Sequence, residues 1–432
     1  MSADTTYTAD VLVVGGGSAG ATAAIAAARA GASVMLVERN PFLGGTSTAV
    51  LDTFYGFYTP GERPRKVVAG LPDDVVAGLR ALGPVVERPN SFGAGTGVTY
   101  HPEHLKVVWE DLATGAGVRV LLHALLQEAT VEGDRVAGVV LATKAGPRRV
   151  SARIFVDCSG DADLCHFAGL GYEAAGADAQ TLTTTFKMCN VDVERRRTIT
   201  KADLTALMTA AAESGAYDLP RREGSDHITP VDNMTATVMT RLPSTELRDG
   251  LRVGATDPEL LSRAEMAGRR QALEYVRFLR DRVPGYERAQ LAGLSSQIGV
   301  RETRRVYGDY RLTADDVLSA RQFDDQVALS GAPVEDHHAK AGTVWRYLPE
   351  GTAVGVPLRT LLVRDAENVL VAGRCFSATH DAHAAVRSMA QCMAMGQAAG
   401  TVAALAANAG RLPRDLPLSE VLDRLRKDGA VF

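Results

Sequence analysis

Between Ser377 and Arg387 the chain reads SATHDAHAAVR, a short run holding two imidazoles and a guanidinium. An imidazole is well suited to moving a proton near neutral pH. His380 and His383 are therefore candidate general bases for an O–H, N–H or acidic C–H. Their competing role is a hydrogen bond to backbone at a helix start. His380 takes precedence, because catalytic groups concentrate in loops held by rigid elements. A second cluster, GVRETRR from Gly299 to Arg305, sets three arginines around a glutamate and a threonine. Read as a strand, it places Arg301, Thr303 and Arg305 on one face and Glu302, Arg304 and Val306 on the other. Arginines are costly to bury without partners. One face then suits an internal Arg–Glu network, and the other a substrate carboxylate or the side of a cofactor. Arg301 is the candidate taken from this cluster.

What these groups serve is indicated by VLVVGGGSAGATAAIAAARAGASVMLVERN, Val11 to Asn40. Val11–Val14 predicts a buried strand, and the Ala-rich run Ser18–Ala30 a helix that Gly31 closes. Ser33–Val37 predicts a second strand, making a βαβ unit and hence a parallel sheet. Gly15, Gly17 and Gly20 stand as G-x-G-x-x-G between strand and helix. The first permits a tight turn, the second lets backbone approach a diphosphate, and the third lets helix and strand touch. The helix start offers free N–H groups to that diphosphate. Glu38, ending the second strand, can grip ribose hydroxyls, which favours NAD or FAD over NADP.

Three later segments bear on the choice between these two. NPFLGGTST, Asn40 to Thr48, follows Glu38 directly with a Gly pair and three hydroxyl residues, where a nicotinamide dehydrogenase normally enters another helix. RIFVDCSGDADL, Arg153 to Leu164, is a strand ending in Ser-Gly-Asp. Glu367 to Ala406 supplies a distant strand–Gly–loop–helix unit. Together with GVRETRRVYGDYRLTADD and NVLVAGRCFSATHDAHAAVR, these segments resemble the FAD-dependent oxidoreductase family of the glutathione-reductase-like fold, second subfamily. The resemblance covers most of residues 8–170 and 295–410, and residues 191–293 match nothing in it. It implies Gly15, Gly17, Ser18, Ala19 and Gly20 at the diphosphate and Glu38 at the adenosine ribose. It further implies Arg39, Gly45 and Thr46 along the FAD, Leu126 near the adenine and Asp161 beside the cofactor. Gly373 and Arg374 would approach the ribityl–diphosphate region. A helix start near Ala385, Val386 and Arg387 would face the pyrimidine edge of the flavin, where reduction gathers negative charge. Relatives with covalent flavin often carry a His after the Gly pair. Ser47 and Thr48 stand there, so the FAD is expected to be non-covalent, with His101 and His104 the remaining candidates for a link.

The elements that position these groups are expected to form an α/β fold. A Rossmann-like FAD-binding domain, with a parallel sheet and a β-meander, occupies residues 8–50, 95–170 and 361–412. An α+β substrate or cap domain interrupts it at 51–94 and 171–360, and 413–432 form a tail helix. The composition, 46% hydrophobic and 23% charged with a net charge of -4, is that of an ordinary soluble protein. It carries no basic footprint for nucleic acid. Five scattered cysteines without a C-x-x-C pair argue against disulfides, zinc, an iron–sulfur cluster and a disulfide-reductase role for Cys375. No metal is expected. Met389–Gly410 is long enough to span a membrane, but its Ala, Gly, Gln and Asn content predicts a buried helix instead. The polar N-terminus MSADTTYTAD is too short for a secretory signal, and a cytoplasmic location is expected. One dinucleotide fingerprint leaves no dedicated nicotinamide domain. The expected function is an FAD-dependent dehydrogenase or desaturase that passes a hydride from a small organic substrate to flavin N5 and hands electrons to an external acceptor. The alternative is an NAD(P)H-driven flavin monooxygenase or reductase. The oligomeric state stays open.

Overall fold

Thr6–Val14, the first strand of the computed structural model, ends in four buried apolar residues with a strand on each side. The structure describes residues 6–90, 92–338 and 342–432. Arg119–Leu121, Val34–Val37, Thr6–Val14, Arg148–Asp157 and Val369–Val371 lie side by side in that order, all parallel. Covered on both faces, Val34–Val37 is buried throughout and has no polar alternation. Leu125–Glu132 and Arg135–Ala142 form a hairpin that joins the first half of Arg148–Asp157 antiparallel. Val369–Val371 takes the second half of that strand. The parallel sheet with a meander is thus present, and its last parallel strand comes from the far end of the chain.

Two helices cover one face. Ser18–Arg29 is almost all alanine and small residues, the best helix formers, and Gly31 with φ of 94° follows its C-cap Ala30. Met389–Ala409 crosses it on a seam of small residues. A Cβ on Gly396 would overlap the Ala19 carbonyl, and one on Gly400 the Ala23 carbonyl. This long helix is buried along nearly its whole length. Among the described residues no helix is long and apolar enough to cross a membrane.

A second sheet, antiparallel, runs Ser225–Ile228, Thr235–Val238, Phe186–Cys189 and Gln290–Leu294. Helix Pro258–Arg282 packs on it through Tyr275, Phe278 and Leu279, which share a cluster with Phe186 and Met188. Asp257 caps this helix by accepting the Leu260 N–H at 2.8 Å.

Two local expectations need correction. GVRETRR is not one strand, since pairing covers only Arg304–Val306, against Tyr172–Ala174. Arg305 is ion-paired to Glu302, three residues back. Strand alternation would put those two on opposite faces, so residues 301–303 leave the extended path. The C-terminal helix also begins later than expected. His380–Val386 is a separate short helix, and the long one starts at Met389 after a break at Arg387–Ser388.

Candidate active site

The parallel strands end at Val14, Val37, Asp157 and Val371, all on the same side of the sheet. The loops leaving those ends converge on one cavity of about 1330 Å3. Such a crevice at strand C-termini is where α/β sheets bind ligands. Its volume exceeds the ~300–1,000 Å3 typical of a site for one small molecule, leaving room for two.

One wall is the dinucleotide cradle. Gly15, Gly17, Ser18 and Ala19 line it. Gly17 caps the Ser18–Arg29 helix without a side-chain hydrogen bond, leaving the first N–H groups to a ligand. Gly20 does not line the cavity. A Cβ there would collide with Gly15, so it serves helix–strand contact. Glu38 lines the wall and accepts the Gly16 N–H at 2.7 Å and the Asn40 N–H at 2.8 Å, which ties the second strand end to the glycine turn. Arg39, Gly45 and Thr46 continue the lining, with Gly44 bridged to Gly17.

Asp161, Gly373 and Arg374 come next. Arg374 Nη2 donates to Asp161 Oδ1 at 2.7 Å, and Thr303 Oγ1 donates to the same oxygen at 2.8 Å. Burial works against the Asp161 carboxylate, but Arg374 and Thr303 hold it below its ordinary value. Leu126 faces the apolar core beneath the meander, and its neighbour Leu125 is the one at the cavity. Ala385 and Val386 are buried in the main core, whereas Arg387, Ser388 and Met389 line the cavity. Ser388 leaves the Met389–Ala409 helix start without a side-chain cap. The long helix thus starts at the cavity two residues past Arg387, which the resemblance had set at the flavin.

The histidines stand elsewhere. His380 lies outside the cavity lining, with Nδ1 2.9 Å from Glu302 Oε2 and Nε2 3.3 Å from Asp336 Oδ2. Burial lowers its affinity for a proton, but Asp336 and Glu302 outweigh that and raise its pKa to about 10. Held between two carboxylates and away from the cavity lining, His380 is placed as an ion-pair partner and not as the general base that the sequence suggested. His383 Nε2 donates to the Arg374 carbonyl at 2.9 Å, and burial followed by Arg387 and Arg305 drives its pKa well down. It is fully buried and braces backbone, the competing role weighed for it. Arg301 does line the cavity, its Nη1 donating to Thr181 O at 2.6 Å and Thr183 Oγ1 at 2.7 Å.

Two titratable pairs that sequence motifs did not mark line the same cavity. Asp52 Oδ1 lies 2.8 Å from His227 Nε2, and no hydrogen bond to His227 Nδ1 is found among the described residues. Asp52 is 3% exposed. Burial pushes its pKa up, but His227, then Lys187 and Arg88, bring it below the ordinary carboxylate value. Glu335 Oε1 lies 3.0 Å from His337 Nε2, and His337 Nδ1 lies 2.9 Å from Thr343 Oγ1. Burial and then Arg301 lower His337 to about 3, so it is neutral at pH 7 and donates Nε2–H to Glu335. Burial opposes the Glu335 charge, but His337, Arg387 and Arg301 bring it to about 2. The only local hint of Asp52 was its place after the Gly pair. His227 sits in the stretch that resembled nothing.

The residues present fit an elongated dinucleotide. Two helix starts at the cavity lack side-chain caps, leaving their first N–H groups to a ligand. The five cysteines are all free, and four are buried.

Sequence comparison agrees with this geometry. The model of the family described as FAD dependent oxidoreductase matches residues 10–425. Digeranylgeranylglycerophospholipid reductase 2 of Methanothermobacter thermautotrophicus is 30% identical over 204 residues, 41% of this chain and 49% of its own. Digeranylgeranylglycerophospholipid reductase of Thermoplasma acidophilum is 29% identical over 200 residues, 43% of this chain and 48% of its own. The chain thus spans about half the length of the curated relatives it matches. A geranylgeranyl bacteriochlorophyll reductase-like structure from Thermoplasma acidophilum aligns with a TM-score of 0.49 at 15% identity, covering 98% of this chain and 84% of that one.

Proposed function

The chain belongs to the FAD-dependent oxidoreductase family, and from that premise we propose that it is a dehydrogenase or desaturase of a small organic molecule. FAD, when bound, accepts a hydride from substrate carbon. The observation that carries the proposal is the Asp52–His227 pair, which lines the same cavity as the cofactor cradle. Asp52, held as carboxylate, accepts from His227 Nε2 and fixes the ring. Nδ1 then stands free to take the proton that leaves the substrate as the hydride departs. Arg374 and Asp161 would hold the bound cofactor, and the Met389–Ala409 helix start would oppose the negative charge that its reduction brings. Substrate, coming in beside Val50, Tyr55 and Trp345, displaces water from the remaining volume.

A second reading takes electrons from NAD(P)H, as an NAD(P)H-driven flavin monooxygenase or reductase would. It draws on the reductase names of the curated relatives. Anaerobic mixing of the yellow holoenzyme with NADH or NADPH separates the two. Under the dehydrogenase reading neither bleaches the flavin. Rapid bleaching by either overturns it in favour of the second.

A further inference from the structure

Beyond the glycine turn, the cavity lining is rich in guanidiniums. Arg221, Arg301 and Arg387 belong to it, and Arg241 stands behind them, ion-paired to Glu223. Against these four cations the cluster holds two carboxylates, Glu223 and Glu335, because His337 is neutral. The four guanidiniums outnumber these two carboxylates, and Glu302, which also acts on Arg387, is already paired with Arg305 and His380. No ion pair links Glu335 to either Arg301 or Arg387. Arg387 spends Nη2 on Gln180 Oε1 at 2.7 Å and the Glu335 carbonyl at 3.4 Å, while its buried Nε has no acceptor. Arg221 donates Nη1 to the Val238 carbonyl at 3.2 Å, and its Nε faces Glu223 Oε1 at 3.5 Å. Arg301 anchors only Nη1, to Thr181 and Thr183, which fixes the plane of its fork. Burial, then Arg387 and Arg221, pull its pKa to about 9, a sign of how closely like charges crowd it.

A buried excess of positive charge with unspent N–H donors is unfavourable in the free protein and calls for an anion. Resting on the substrate-oxidation reading above, we propose that the substrate is an organic acid whose carboxylate docks on Arg301 between Arg221 and Arg387. A planar guanidinium already held by one nitrogen presents its remaining N–H groups in the geometry that matches two carboxylate oxygens. The diphosphate cradle uses a different set of groups, the helix N–H donors that follow Gly17. Glu335 and neutral His337 set the limits of the pocket: they offer no further positive charge, and Glu335 repels an acid that misses the fork.

The experiment titrates holoenzyme with benzoate, its uncharged counterpart benzamide, and inorganic phosphate at constant ionic strength. Perturbation of the flavin absorption spectrum and the change in Tm are read for each. Benzoate is expected to perturb the flavin and raise Tm, and benzamide to do neither. Arg301→Met is expected to weaken benzoate at least about tenfold while raising the Tm of the unliganded protein, since it removes one of an excess of like charges. Arg301→Lys, which keeps the charge and loses the fork, should fall between. Benzamide binding as well as benzoate, phosphate binding in place of benzoate, or undiminished benzoate binding by Arg301→Met would each overturn the proposal. None of these outcomes touches the bleaching test, which alone decides the electron source.

Discussion

Asp52 and His227 meet across 175 positions of sequence, so neither advertises the other locally. Asp52→Asn keeps the side chain's shape and removes its charge. It is expected to lower kcat by about 10²–10⁴-fold with flavin content per chain unchanged, measured by steady-state turnover beside absorbance. Equal kcat in the variant would remove Asp52–His227 from the chemistry. His380 lends itself to a different measurement. Its folded pKa of about 10 lies above the ordinary value of about 6.5. The stabilisation from its carboxylate partners is therefore complete below pH 6.5 and is lost as pH rises through 10. The difference in unfolding free energy between the parent and His380→Asn should be constant at acid pH and shrink steadily between about pH 6.5 and 10. A difference that grows with pH would contradict the Glu302–His380–Asp336 arrangement. Histidine spacing picked out His380 and His383 as chemistry, but only burial and partners distinguish a reactive imidazole from one that holds a fold together.

At the scale of elements, the dinucleotide turn was readable because its reasons are local. Ala propensity, the glycine positions and an apolar strand all act within thirty residues, and the helix and strands formed where they pointed. The Met389–Ala409 helix was readable as buried, but its start was not, because Arg387 is drawn aside by Gln180 and the helix restarts after it. Likewise the period of two failed in GVRETRR, where an Arg305–Glu302 pair overrides the pleat. Helix crossing makes a sharper prediction. Alanine ordinarily favours a helix over glycine by about 1 kcal/mol, yet Gly396→Ala and Gly400→Ala should each destabilise by about 1–3 kcal/mol through overpacking. Gly396 abuts Ala19 at the cofactor end of the first helix, and Gly400 abuts Ala23 one turn further in. Gly396→Ala should therefore also lose flavin during purification, while Gly400→Ala lowers Tm with flavin retained. Identical flavin loss in both would mean that the seam does not position the cradle.

For the whole molecule, the α/β class and the FAD were legible because several distant segments had to agree on one ligand. The antiparallel sheet of residues 186–294 was not, since its strands are short and its sequence carries no motif. Ser47 and Thr48 stand beside the Gly pair where covalent relatives carry a His, so the FAD is expected to be non-covalent. Acid precipitation is expected to leave all the yellow colour in the supernatant, and a coloured pellet would point instead to a covalent bond. Added FAD should raise the Tm of flavin-stripped protein in a concentration-dependent way, as any ligand of the folded state does.

The parallel sheet takes its fifth strand from Val369–Val371, and the cradle leans on a helix that begins at Met389. During synthesis the glycine turn leaves the ribosome long before either partner exists. More than three hundred residues must follow before the cradle gains its second wall. The first βαβ unit is therefore expected to wait with a half-built pocket until the Met389–Ala409 helix packs onto Ala19 and Ala23. Cofactor uptake is therefore expected to be a finishing step of folding and not its seed.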